Sequence, residues 1–141
     1  MNTFIFQSVP ERYDLRTELR AGNSDTWYAT RYRNDMNAGD VVFFWMGGEQ
    51  DSRGLYGWGN LTSGAYLKSG WDSHGVDVRC KVRFTKPILA IDLKREPILR
   101  DLLILRAPQA SNFLLTEQQA SELQELVRRM DEQAPPAEAF R

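Results

Sequence analysis

The sequence predicts an α+β fold, a small and strongly curved β-barrel of five to six strands flanked by helices near the two ends of the chain. Three observations carry that reading. Residues 41–46, VVFFWM, are apolar without interruption, the pattern of a strand covered on both faces. Residues 76–84, VDVRCKVRF, alternate: Val76, Val78, Cys80, Val82 and Phe84 fall on one face, and Asp77, Arg79, Lys81 and Arg83 on the other. Residues 116–130 combine a helix-opening Thr116/Gln119 capping box with an apolar stripe of Ala120, Leu123, Leu126, Val127 and Met130.

The remaining elements follow in order. TFIFQSV (3–9) has the bulk and alternation of a first strand, closed by Pro10. Asp14 caps a short helix over Leu15 to Leu19, and Gly22 supplies its stop. TWYATRYR (26–33) is aromatic and β-prone, and Asn37-Ala38-Gly39-Asp40 reads as a turn. Strand 41–46 then pairs with GLYGWGNL (54–61), where Leu55, Gly57, Gly59 and Leu61 share a face opposite Tyr56, Trp58 and Asn60. Bare glycines on one face mark a bend or a close approach to the backbone. ILAIDL (88–93), after Pro87, reads as a further strand, and Pro97 suits the first turn of a short helix over Ile98 to Leu102. LRAPQASNFLL (105–115) reads as a loop with apolar anchors. From residue 132 the composition turns to Pro, Ala and Glu, so the domain is placed at 1–131 and a frayed tail at 132–141.

The totals bound the function. A chain of 141 residues is one domain by default, large enough to bury a core without disulfides or metal. A net charge of −1 argues against gripping nucleic acid by bulk positive charge, though a local basic patch is compatible with it. The start of the chain has no basic n-region and no long apolar run, so neither a signal peptide nor a membrane span is expected. Cys80 is the single cysteine, which excludes an internal disulfide framework and makes the cytoplasm the natural compartment.

The catalytic inventory is thin. His74 is the single histidine, so a Cys/His zinc site lacks ligands, and the glycines fit no phosphate-loop pattern. No catalytic residue, metal or cofactor is assigned, and the expectation is a binding module rather than an enzyme. The aromatic set says more. Trp27 opens a strand after polar residues, Trp71 lies in the polar loop KSGWDSHG, and Trp45 ends its strand beside Gly47-Gly48; each is either a packing residue or a pocket wall. Trp58 reads as core. Arg79, Lys81 and Arg83 form an outward ladder that either meets phosphates or is the solvated face of a sheet, and Ser8 either offers a hydroxyl at the end of its strand or belongs to a plain turn.

Taken in order, FIFQSVPERYDL, Trp27, AGDVVFFWMGG (38–48), GLYGWGNL (54–61) and LRAPQASNFLLTEQQASEL (105–123) resemble an EVE domain, from about residue 3 to residue 129. That family lies in the PUA-like superfamily and is similar to the YTH readers of methylated adenine. The resemblance implies a compact barrel with an aromatic-lined pocket for one modified base, such as modified cytosine in DNA or methylated adenine, with RNA also considered. It implies a ligand set of Ser8, Trp27, Tyr28, Trp45, Trp71, Gln109 and Asn112, with Trp27 as a pocket wall and Trp71 as a second cage aromatic. The sequence departs from the family in two places: the first strand carries Phe4 and Phe6 where a Trp is common, and PQASNF (108–113) has Ala110 where a glycine is usual. Gln109 and Asn112 are therefore either ligand contacts or loop braces, with bracing favoured.

Stacking of a base on aromatic rings contributes roughly 1–3 kcal/mol, and flipping a base from a duplex costs a few kcal/mol. The expectation is modest affinity, better on single strands, with a shallow salt dependence. The alternative is a small-molecule or protein-binding module on the same fold without affinity for nucleic acid. The oligomeric state is not legible.

Overall fold

The computed structural model of the chain describes residues 1–136. Seven strands form one curled sheet: β1 (Thr3–Ser8), β2 (Ser24–Tyr28), β3 (Val41–Met46), β4 (Gly54–Leu61), β5 (Tyr66–Leu67), β6 (His74–Leu89) and β7 (Asn112–Leu114). Their order is β2-β6-β4-β3-β1-β7, with β5 beside β6. All pairs are antiparallel except β1 with β3, which run parallel from Thr3 opposite Val41 to Ser8 opposite Met46. Four helices complete the fold: α1 (Leu15–Glu18), α2 (Ala90–Lys94), α3 (Leu103–Arg106) and α4 (Glu117–Arg129).

The uninterrupted apolar run of β3 has the predicted cause. Successive side chains of a strand point to opposite faces, and here both faces are covered. Val42, Phe44 and Met46 join Phe4 and Phe6 of β1 in a core inside the curl of the sheet. Val41, Phe43 and Trp45 join Ile5 in a second core, roofed by Leu93 of α2, Ile104 of α3 and Leu123, Leu126 and Val127 of α4. The α4 start is as read from sequence: the Gln119 amide donates to Thr116 Oγ1 at 3.1 Å, and the Thr116 amide donates to Gln119 Oε1 at 3.0 Å. At α1, Asp14 accepts from the Arg16 amide.

Simple alternation fails in β4 and β6, because bulges interrupt it. Phe44 lies opposite Gly57 and Trp45 opposite Leu55, so Tyr56 is an extra residue in β4. Trp58 lies opposite Val82 and Gly59 opposite Cys80, so Lys81 is an extra residue in β6. A slip of one residue sends every following side chain to the other face. Leu55 and Trp58 therefore share the helix-side core, while Tyr56 and Leu61 share the inner one. In β6, Val76, Val78 and Cys80 face the inner core, but Val82, Phe84 and Ile88 face the helices. The glycines have their explanation at the same bulges. A Cβ on Gly57 would collide with the Val82 carbonyl, and one on Gly59 with the Arg79 carbonyl. What approaches these glycines is the backbone of β6, folded hard against β4.

Three further expectations change. ILAIDL is not a separate strand: β6 runs on through Leu89, and residues 90–94 form α2, its first turn closed by the Leu89 amide donating to Asp92 Oδ2. The 105–115 loop contains the last turn of α3 and the edge strand β7, whose Phe113 pairs with Ile5. The helix after Pro97 is a single 3-10 turn at Leu99–Asp101. The tail expected to fray from residue 132 is tied down as far as Pro135. Glu132 accepts from the Thr85 and Lys86 amides, Trp58 Nε1 donates to the Gln133 carbonyl, and Gln124 Nε2 donates to the Pro135 carbonyl. The rest of that tail lies outside the described residues.

The sheet is a half-barrel with two edges, β2 and β7. One side chain joins them. Asn112, 1 % exposed, donates from Nδ2 to the Tyr28 carbonyl at 2.9 Å and accepts at Oδ1 from the Thr30 amide at 2.8 Å. The Arg31 amide and the Thr30 hydroxyl point at the same oxygen. Asn112 thus acts as a stitch where backbone pairing is missing, and it fixes the chain just after β2.

Candidate nucleic-acid interface

Beside that seam lies a cleft of about 370 Å³, lined by Gln7, Ser8, Arg12, Tyr13, Asp25, Thr26, Trp27, Tyr28, Trp71 and Ser111. That size falls within the range of small-ligand sites. Its back wall is Trp27 of β2. The indole packs among Phe44 at 5.3 Å, Phe6 at 6.3 Å and Tyr13 at 5.7 Å between ring centroids, the last edge-on at 80°. Trp27 is only partly buried, so a ring anchored in the inner core keeps surface toward the cleft. At the mouth, Trp71 lies 4.7 Å from Tyr28, centroid to centroid, with the planes inclined at 39°. Tyr28 is 43 % exposed, and the Arg12 guanidinium carbon stands 6.0 Å from its ring centre. The loop carrying Trp71 is held by a tight turn, the Trp71 amide donating to the Lys68 carbonyl.

The polar side of the cleft is also ordered. Tyr13 donates to Asp25 Oδ2 at 2.7 Å, and Ser8 Oγ donates to the Tyr13 carbonyl at 2.9 Å. Burial first, and the bond to Asp25 second, raise the Tyr13 phenol well above its ordinary range, so it stays a neutral donor. The second carboxylate oxygen of Asp25 remains available to a ligand.

The structure brings together Ser8, Trp27, Tyr28 and Trp71. It separates the others. Trp45 is 2 % exposed and faces the helix-side core, because its odd position in β3 points away from the inner core. Asn112 is the buried stitch, a brace rather than a contact. Gln109 lies in an adjoining cleft. Of the basic ladder, Arg79 and Lys81 are exposed and line neither cleft, whereas Arg83 is turned inward by the bulge at Lys81. Its guanidinium donates to the Leu19 carbonyl at 2.9 Å and the Arg16 carbonyl at 2.6 Å, holding α1. Missed by the sequence reading were Gln7, Arg12, Tyr13, Asp25, Thr26 and Ser111. The stretch QSVPERY contains three of them, and its polar run directly after a strand is the signal that points there.

Cys80 and His74 lie six positions apart on one strand, a span of about 20 Å. They cannot form a dyad. Burial raises the Cys80 thiol to about 11, and His74 Nδ1 instead meets the Arg33 guanidinium at 2.7 Å. Among the described residues no cluster of His, Cys, Asp and Glu could hold a metal, and no helix is long and apolar enough to cross a membrane.

Comparison with solved structures finds the same fold in sequences of low identity. A protein of Agrobacterium tumefaciens superposes with a TM-score of 0.75 at 22 % identity, covering 96 % of this chain and 97 % of its own. A protein from Leishmania major superposes with a TM-score of 0.74 at 16 % identity, covering 94 % and 98 %. Human THYN1, solved in complex with DNA containing 5-methylcytosine, superposes with a TM-score of 0.68 at 18 % identity, covering 96 % and 100 %. Comparison with curated proteins returns no match. The family model that matches is that of the EVE domain, over residues 2–126. The curled sheet, the ordered sequence segments and this match over most of the length agree: the chain belongs to the EVE domain family.

Proposed function

We propose that this chain is a non-catalytic reader of nucleic acid that takes one modified base, unpaired or flipped, into the aromatic cleft. The observation that carries the reading is Trp27, anchored in the inner core yet open toward a cleft whose mouth holds Tyr28 and Trp71. A base lying against Trp27 gains stacking of roughly 1–3 kcal/mol, and a methyl group buried against the rings adds about 0.8 kcal/mol. Asp25 suits the base edge, since a carboxylate accepts from the exocyclic amine of cytosine. Tyr28 and Trp71 cover the open side. The human relative's DNA makes 5-methylcytosine the first base to test.

The test is a tryptophan-fluorescence titration with short single-stranded DNA and RNA, each carrying one 5-methylcytosine, 5-hydroxymethylcytosine or N6-methyladenine, against the unmodified strands. One modified strand is expected to bind at least several-fold more tightly than its unmodified counterpart. Equal affinity across the panel would sink the proposal. Binding of a free nucleoside with no affinity for any strand would move the chain to the small-molecule class.

A further inference from the structure

The aromatic cleft does not end at Ser8. A second cleft of about 330 Å³ continues from it and shares Gln7, Ser8, Arg12 and Ser111 with it. Its character is different. Arg12 and Arg53 line it together with Gln109, and no Asp or Glu does. Neither arginine forms an ion pair among the described residues. Arg53 is the more telling of the two: its Nε is buried and has no hydrogen-bond partner. A buried donor without an acceptor is costly, and the usual explanation is a group absent from the protein chain itself. The Arg53 backbone is fixed, because its carbonyl accepts from the Ala90 amide at the start of α2. On its far side Arg53 borders a further cleft that includes Asp51, but no ion pair forms there.

We propose that this second cleft is a phosphodiester site, which takes the linkage next to the base held by Trp27. Two guanidiniums in a concavity without carboxylates select an anion, and an arginine fork matches the paired oxygens of a phosphate. Arg12 borders both clefts and reaches over Tyr28, so one side chain spans the step from base to backbone. A chain of net charge −1 thereby holds nucleic acid by two placed charges instead of a broad basic face. The inference rests on the modified-base reading and adds where the strand runs from the pocket.

The experiment pairs Arg53→Gln with strands in which either linkage flanking the modified base is replaced by a neutral methylphosphonate. Against the wild-type protein, one of the two neutral linkages is expected to weaken binding about tenfold. Against Arg53→Gln, normal strands should bind about tenfold more weakly, and the neutral linkage should add less than a twofold loss. The salt slope should become shallower by about 0.7 for single strands. Arg53→Lys, which keeps the charge and loses the fork, should fall between the two. Arg79→Gln, on the exposed ladder, should change affinity less than twofold. Equal losses for Arg79→Gln and Arg53→Gln, or a neutral linkage equally harmful to both proteins, would overturn the proposal, as would absence of binding to any strand. A failure to discriminate modified from unmodified bases, with the linkage effect intact, would remove the base reading and leave the phosphodiester site standing.

Discussion

Trp45 and Trp27 stand on strands of one sheet, and the sheet treats them in opposite ways. Trp45 belongs to the core roofed by α2, α3 and α4 and is 2 % exposed. Trp27 belongs to the edge of the inner core, where β2 and β7 fail to pair and only Asn112 stitches the gap. The difference shows how this fold divides its labour. The side with helices over it supplies stability, and the open seam of the half-barrel supplies a concave, aromatic surface. A tryptophan is a structural residue or a ligand wall according to which layer lies over it.

That contrast can be broken at each of its parts. Trp45→Ala should have the largest effect, a loss of about 3–5 kcal/mol of stability because nothing refills the cavity. Urea unfolding would measure it, and a loss below 1 kcal/mol would mean that the helix-side core is not the foundation described. Asn112→Ala comes next. It leaves the Thr30 and Arg31 amides and the Tyr28 carbonyl short of a partner, and should cost about 2–3 kcal/mol. It should also speed hydrogen exchange at Thr30 and Arg31, whereas exchange unchanged at those amides would refute the stitch. Trp27→Ala and Trp71→Ala should each weaken binding of the preferred strand by about 1–3 kcal/mol. Trp71→Ala, being in a loop, should leave the unfolding midpoint almost unmoved, and unaltered binding in both variants would dissociate the rings from the ligand.

The smallest effect concerns pH. Burial raises the Tyr13, Tyr56 and Cys80 groups in the folded chain, the thiol to about 11. Their unfolded values lie near 8.5 for the thiol and 10 for the phenols. Groups raised in this way give stability that is whole below the unfolded values and is lost as pH rises through the folded ones. Stability should therefore be insensitive to these three groups at neutral pH and decline above about pH 9. Tyr13→Phe should flatten part of that decline, and an unchanged alkaline limb would show that the phenol is not held neutral.

Much of the fold was legible from residue pattern, for a local reason. The double-sided burial of β3, the Thr116 cap, the Asp14 cap and the α4 stripe depend on residues within a few positions of one another. The errors share a different cause. ILAIDL looked like a strand because its apolar run is too short to distinguish from a helix turn. The helix forms there because Asp92 caps the Leu89 amide. The even residues of 76–84 looked like one face, and the bulge at Lys81 divides them between two cores. That bulge also turned Arg83 from a supposed phosphate contact into a clamp on α1. Trp45 was wrongly paired with the site because proximity to Gly47-Gly48 in sequence says nothing of which face a strand residue takes.

By itself the sequence determined the class of fold, the family it resembles, the poverty of catalytic groups and the importance of Trp27 and Trp71. Local pattern and composition suffice for these. Only the tertiary structure decided that β2 and β7 meet at a seam, that Tyr13, Asp25 and Arg12 gather there, and that Arg53 reaches the adjoining cleft with an unsatisfied donor. Those residues are dispersed from position 12 to position 53. Strand pairing across the curl, with its bulges, brings them together, and the periodicity of any single segment carries no record of that pairing.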